Sequence, residues 1–145
     1  MKVIDLNILL YAINPSVVQH KPVLIWWEQA LNSDAHIGLP WVVLSGFIRL
    51  STHPKIFPRP LPVATALGKV NDWLALPNVK VIAEAEGHWL IFKELLNNAG
   101  SAGNLTTDAH IAAIAIGHAA TLASCDHDFA RFGKLRWENP LMPPS

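Results

Sequence analysis

The chain has one cysteine, Cys125, so no internal disulfide can form, which fits a reducing compartment. The acid beside it, Asp126, disfavours a thiolate, so Cys125 is not expected to act as a nucleophile. Net charge is also missing, because 11 basic and 11 acidic residues cancel. No global basic field advertises nucleic acid and none repels it, so a phosphate-bearing partner must be held locally or through a metal. Charged residues make up only 15% of the chain, while 51% is hydrophobic. That balance excludes disorder and supplies a proper core. No apolar run is long enough to span a bilayer. Asp5 interrupts the N-terminus too early for the apolar region of a signal peptide. A cytoplasmic protein with no membrane attachment is expected. The seven histidines do not combine with the lone cysteine at zinc-ligand spacing. No internal repeat is present, and 145 residues suit one domain covering 1–145.

What is present is an alternation of short apolar strands and amphipathic helices. Val3-Ile4 begins a buried strand that Asp5 ends, and Asn7 can cap a helix running to Ile13. Helices are expected over 21–31, 41–51, 63–76 and 86–97, with strands at 36–39, 78–82, 120–124 and 135–137. Leu67, Val70, Trp73 and Leu74 are expected to face inward, and the tryptophans at helical spacing to serve the core or a dimer face more than a base-stacking platform, which normally comes with a basic groove. Residues 53–63 hold four prolines and cannot be regular helix or central strand. Ile56, Phe57 and Leu61 make that stretch too apolar to be left in water, so an ordered surface excursion is expected. Pro143-Pro144 closes the chain. Strands alternating with helices argue for an α/β domain with a central, mainly parallel sheet of four or five strands.

The chemistry concentrates in carboxylates. Thr106-Thr107-Asp108 opens an Ala-rich helix, with Thr107 as the expected N-cap. Asp108, Ile111, Ala112 and Ala115 fall on one face, so the acid points inward with apolar residues. An acid on a burying face is expensive unless paired or bound to a cation. The bland alternative is that Asp108 merely favours the positive end of the helix dipole. Asp5 lies just past the first strand and Asp126 just past the fourth. Ligand sites of open α/β sheets gather beyond the carboxyl ends of the strands, so three acids far apart in sequence can meet at one edge. For Asp5 and Asp126 the bland alternatives are a helix cap and a turn residue. Asp128 is a second ligand, a supporting acid, or the N-cap of a short helix through Arg131. Ser124 can hydrogen-bond a carboxylate or a phosphate, or is a satisfied polar residue at a strand end. Like charges held close need compensation, and a hard cation such as Mg²⁺ or Mn²⁺ supplies it with carboxylate oxygens as ligands. Such a site can activate water for attack on a phosphodiester. His110 and His127 flank the acids. Basic residues gather in two stretches, Arg49 to Arg59 and Arg131 to Arg136, which either track an RNA backbone or form a solvated surface.

Four pieces of sequence together resemble the PIN domain family, in particular the VapC ribonuclease toxins of bacterial toxin–antitoxin pairs. They are Val3-Ile4-Asp5-Leu6-Asn7-Ile8-Leu9-Leu10-Tyr11-Ala12, Thr107-Asp108-Ala109-His110-Ile111-Ala112-Ala113, Ser124-Cys125-Asp126-His127-Asp128-Phe129, and Gly46-Phe47-Ile48-Arg49-Leu50 followed by His53-Pro54. The last of these resembles the mycobacterial-type subgroup. The resemblance implies a three-layer α/β/α domain and a metal-dependent endoribonuclease. It also implies an RNA substrate, a cognate antitoxin protein and a homodimer. It carries Asp5, Asp108 and Asp126 into a catalytic site binding Mg²⁺ or Mn²⁺, with Asp5 and Asp108 the surest ligands and Asp128 a fourth candidate. Asn7 and Ser124 become supporting residues, and Arg49 and Arg131 candidate RNA contacts. One departure stands out. Many PIN domains carry an acid, usually Glu, on the helix after the second strand, yet Leu44-Ser45-Gly46 has none, and Glu84, Glu86 and Glu94 are not assignable to the gap. The alternative function is therefore a catalytically weak PIN-like module that binds RNA or protein. A receiver-like domain phosphorylated on aspartate also clusters acids on an α/β sheet, but its acid pair belongs at the first strand.

Overall fold

The structure is a computed structural model that describes residues 1–142, so the expected Pro143-Pro144 end lies outside the described residues. In chain order its elements are β1 (Lys2–Ile4), α1 (Leu6–Ile13), α2 (His20–Leu31), β2 (Ile37–Pro40), α3 (Trp41–Ser51) and α4 (Val63–Leu74). Then come β3 (Val79–Ile82), α5 (His88–Ala99), α6 (Thr106–Gly117), β4 (Thr121–Ala123) and β5 (Trp137–Glu138). Short 3₁₀ turns occupy Gly103–Leu105 and His127–Arg131. Among the described residues, no helix is long and apolar enough to cross a membrane.

The five strands are all parallel, in the order β3-β2-β1-β4-β5. The chain steps from β1 out to β3, then returns across β1 to lay down β4 and β5. Parallel crossovers are right-handed, so reversing the direction moves the helices to the other face. Accordingly α1 packs on α2 and α3, and α3 on α4, while α5 packs on α6. This is the expected three-layer arrangement. Both faces of the sheet are covered, which is why its central strands carry apolar runs: Val3, Ile4, Ile37, Leu39, Leu122 and Ala123 are fully buried.

On one face the core is aromatic. Trp73 of α4 meets Phe47 of α3 edge-on with centroids 5.0 Å apart, and Trp27 of α2 at 5.7 Å. On the other face α6 presents small side chains, with Ala109, Ala112, Ala113 and Ala115 fully buried. Small residues let its backbone lie close to the sheet, and α5 covers much of what remains.

Several local expectations are corrected. Asp5, not Asn7, caps α1, because its extended backbone (φ −80°, ψ 158°) stands just outside the helix and its Oδ1 accepts from Leu6 N at 2.7 Å. Thr107 does not cap α6. A 3₁₀ turn runs straight into this helix, so Thr107 already has helical backbone, and Leu105 precedes the helix with no side-chain cap. Asp126, not Asp128, caps the turn that follows β4, accepting from Asp128 N at 2.9 Å. Leu67 is half exposed, and α4 instead buries Ala66 and Trp73, seven residues apart on one face. Ile56 is 53% exposed while Phe57 next to it is buried. The last strand starts two residues later than expected, at Trp137.

Phe47 is fully buried against Trp73. Phe47→Ala should cost about 3–5 kcal/mol of stability, read as a lower urea midpoint with an unchanged slope.

Candidate active site

The strand order reverses between β1 and β4, and the carboxyl ends of these two strands diverge into loops there. Such a switch point opens a crevice in which α/β folds place ligands. Asp5 follows β1 directly and its backbone N–H still bonds Ala123 O at 3.0 Å, the last rung between the two strands. Asp126 stands three residues beyond β4. Asp108 enters from above on the first turn of α6. The fold therefore delivers three acids, more than a hundred residues apart at the extremes, to one edge of the sheet.

One hydroxyl organises the crevice floor. Ser124 Oγ, fully buried, donates to Asp5 Oδ2 at 2.7 Å and accepts from Asp126 N at 3.0 Å. Asn7 bridges the same two strand ends. Its Nδ2 donates to Asp5 Oδ2 and to Ser124 Oγ, both at 3.2 Å, and its Oδ1 accepts from Cys125 N at 3.2 Å. Asn7 is free for this because Asp5 does the capping of α1. The Asp5 carboxylate is only 6% exposed and accepts from Leu6 N, Asn7 and Ser124.

The open acids are three. Asp108, Asp126 and Asp128 each offer a carboxylate oxygen such that the three atoms lie within 4.8 Å of one another. Asp5 lies outside that group of three, but its Oδ1 accepts only from Leu6 N and keeps an open lone pair. Asp128, exposed on the 3₁₀ turn, belongs to the group. Three hard oxygen donors at that spacing can hold a metal ion. Among the described residues, no lysine, arginine or histidine pairs with any of these four acids, since the ion pairs are Lys2–Glu138, His110–Glu84 and Lys134–Glu94.

The electrostatics show the strain of that crowding. Burial pushes the Asp108 pKa from 3.8 up to about 6, and the charges on Asp126, Asp5 and Asp128 add to the effect. Burial also raises Asp5, against the opposing hydrogen bonds from Ser124 and Leu6 and with Asp126 adding to the rise. Burial, then Asp5, pushes the Cys125 thiol up to about 12, so it stays protonated and is no nucleophile.

Other expected site residues go elsewhere. His110 turns away from the acids: its Nδ1 lies 2.9 Å from His88 Nε2 and its Nε2 3.3 Å from Glu84 Oε1, a polar seam between α5 and α6. His127 packs edge-on against Trp137. Glu84 and Glu94 are engaged in ion pairs, so neither fills the place of an acid on α3. On α3 itself Leu44 is buried, Gly46 is buried against Leu6, and only Ser45 of the three is exposed. Arg49 and Arg131 are both exposed. Trp41 is 63% exposed at the start of α3, so of the places expected for it the core is ruled out. The signal that finds it is its place directly after Pro40, where β2 ends at the same edge.

Because folded Asp108 holds its proton more tightly than an unfolded aspartate, the metal-free protein should lose stability as pH rises from about 4 through about 6. Asp108→Asn should flatten that slope in urea midpoints measured across the range. Carboxyl NMR should titrate Asp108 near 6, and Asp126→Asn should lower that value by removing the neighbouring charge with the largest effect on it.

Comparison with known proteins agrees with this geometry. Residues 2–135 match the PIN domain family. The chain is 43% identical over 140 residues to Ribonuclease VapC37 of Mycobacterium tuberculosis, covering 97% of each protein. It is 40% identical over 137 residues to Ribonuclease VapC33 of the same species, covering 94% of this chain and 96% of that one. Among solved structures, VapBC2 from Rickettsia felis, bound to a DNA fragment from its promoter, superposes with a TM-score of 0.68 at 24% identity over 95% of this chain and 97% of that one. FitAcB from Neisseria gonorrhoeae gives 0.67 at 18% identity over 97% and 98%. The alternating parallel fold, the acids at its switch point and these matches together place the chain in the PIN domain family, among its VapC-type members.

Proposed function

We propose that this chain is a metal-dependent endoribonuclease that acts as the toxin of a toxin–antitoxin pair. The observation that carries the reading is the unpaired cluster of Asp108, Asp126 and Asp128 at the switch point of the sheet. The relatives named as ribonucleases support it, since they match over nearly the whole chain. The ion is Mg²⁺ or Mn²⁺, because the donors are all carboxylate oxygens and no soft ligand is at hand. When bound, it offsets the repulsion among the acids, activates water and stabilises the leaving oxygen of a phosphodiester.

The side chains have distinct tasks. Asp108, Asp126 and Asp128 would hold the ion, together with Asp5, whose Oδ1 still has a lone pair to offer. Asp5 contributes a fourth negative charge from behind, within Coulombic reach of Asp108 and Asp126. Ser124 and Asn7 fix Asp5 and the turn that carries Asp126. Asp108 must release its proton for the ion to bind, so affinity falls as pH drops below about 6. RNA is the substrate, and a cognate antitoxin covers the site. The solved complexes of VapBC and FitAB type support a protein partner of that kind. A homodimer in the cytoplasm completes the reading.

A second reading, a PIN-like module that binds without cleaving, is favoured by one observation: no acid stands on α3 beside the site. Titrating Mn²⁺ into the purified protein separates the two. Binding that disappears in Asp126→Asn supports the ribonuclease, whereas RNA binding with no metal binding near millimolar concentration supports the module.

Asp108→Asn and Asp126→Asn should each abolish RNA cleavage and growth inhibition while circular dichroism stays that of the parent. Cleavage at the parent rate in either variant would overturn the assignment. Asn7→Ala, which removes a support and no ligand, should lower Mn²⁺ affinity about 10- to 100-fold.

A further inference from the structure

The exposed side of α3 carries Trp41, Ser45 and Arg49 at successive fourth positions. Residues four apart stand above one another on a helix, so these three form a stripe about 12 Å long. The register of the sheet locates where the stripe begins. Val3 of β1 is paired with Gly38 of β2, and counting two residues on sets Asp5 level with Pro40. Trp41 is the next residue. Its backbone therefore leaves β2 at the same edge at which Asp5 leaves the neighbouring β1. An indole that is 63% exposed thus begins at the sheet edge that also carries Asp5.

The acids that gather there repel a phosphate backbone, and the chain has no net positive charge to draw one in. Substrate must be held by contacts that do not depend on a general basic field. An exposed indole offers such a contact, because every base has a face that stacks on it whatever its sequence. Among the described residues, Trp41 has no aromatic or cationic partner, in contrast to Trp26 beneath Lys2 and Trp27 against Trp73. Arg49 at the other end is exposed and has no carboxylate partner among the described ion pairs. The stripe lacks the pattern of a protein-docking groove, which needs apolar anchors at i, i+3, i+4 and i+7. Here the intervening exposed position is Ser45, and Leu44 and Phe47 are buried.

We propose that this stripe is the track along which single-stranded RNA enters the acid cluster. Trp41 stacks on an unpaired base next to the scissile phosphate, and Arg49 pairs with a phosphate further along the strand. Ser45, a small hydroxyl where an acid would repel the backbone, leaves the path between them open. The inference rests on the ribonuclease reading and adds to it the residues that hold the strand, Trp41 by the face of a base and Arg49 by the backbone.

The test uses a short, unstructured, fluorescein-labelled RNA and anisotropy across a salt series, in the Asp108→Asn background so that no cleavage intervenes. Trp41→Ala should weaken binding roughly five- to 150-fold without changing the salt slope, and Trp41→Phe should restore most of it. Arg49→Ala should reduce the slope of log affinity against log salt by about 0.7, the value for one phosphate contact on a single strand. Trp89→Ala, at an equally exposed indole on α5, should change nothing. Unchanged affinity in Trp41→Ala, an equal loss in Trp89→Ala, or a Trp41→Ala loss confined to an antitoxin peptide would each overturn the proposal. If the parent chain cleaves RNA while Trp41→Ala binds it normally, the track alone fails. If the parent neither binds nor cleaves RNA, the ribonuclease reading fails with it.

Discussion

The hydroxyl of Ser124 lies between the ends of two adjacent strands, giving its proton to Asp5 and taking one from the backbone of Asp126. Everything at this edge of the sheet depends on that tie. A carboxylate as buried as Asp5 is tolerated only because its oxygens are met by donors, and Ser124, Asn7 and the amide of Leu6 are those donors. The same tie sets where the chain leaves β4, and so where Asp126 and Asp128 project. Asn7 doubles it by spanning from Asp5 to the backbone of Cys125. The crevice is built first as a hydrogen-bonded floor and only then as a cluster of charges.

That order explains how so many acids are kept together. Asp108, Asp126 and Asp128 have no basic partner among the described residues, and burial and mutual repulsion push the Asp108 pKa up to about 6. The cluster is therefore the least relaxed part of an otherwise well-packed molecule. Its cost is borne by the cores on either face, the Trp27–Trp73–Phe47 group beneath α3 and α4 and the alanine face of α6 against the sheet. Local consistency is broken at a functional edge and kept elsewhere, as expected where a site is held against its own repulsion. The absence of an acid on α3 fits the same logic, since Leu44 and Gly46 are turned into the packing with α1 and only Ser45 faces outward.

Much of this was legible from residues alone. The strands could be read because a sheet covered on both faces requires continuous apolar runs such as Val3-Ile4 and Leu122-Ala123. Asp5, Asp108 and Asp126 could be read because each interrupts or follows such a run. The caps could not. Whether Asp5 or Asn7 caps α1, and whether Asp126 or Asp128 caps the turn after β4, turns on the backbone angle of one residue, and Asp and Asn suit either place. Exposure of Trp41, Trp89 and Leu67 was equally hidden, because a helix packed at a slant buries a different stripe from the one that periodicity alone suggests.

The sequence by itself determined the class of the molecule: alternating apolar strands and helices, one thiol without a partner, balanced charge, and acids at the ends of strands. These follow from composition and period, which are local properties of the chain. Only the tertiary structure decided which acids meet. The reversal of strand order between β1 and β4 brings residues 5, 108 and 126 to one edge, where Ser124 and Asn7 fix one oxygen of Asp5 and the turn after β4 sets Asp128 beside Asp108 and Asp126. Spacing in a sequence cannot distinguish a carboxylate held by several donors from one that has none. That difference lies in contacts between segments more than a hundred residues apart.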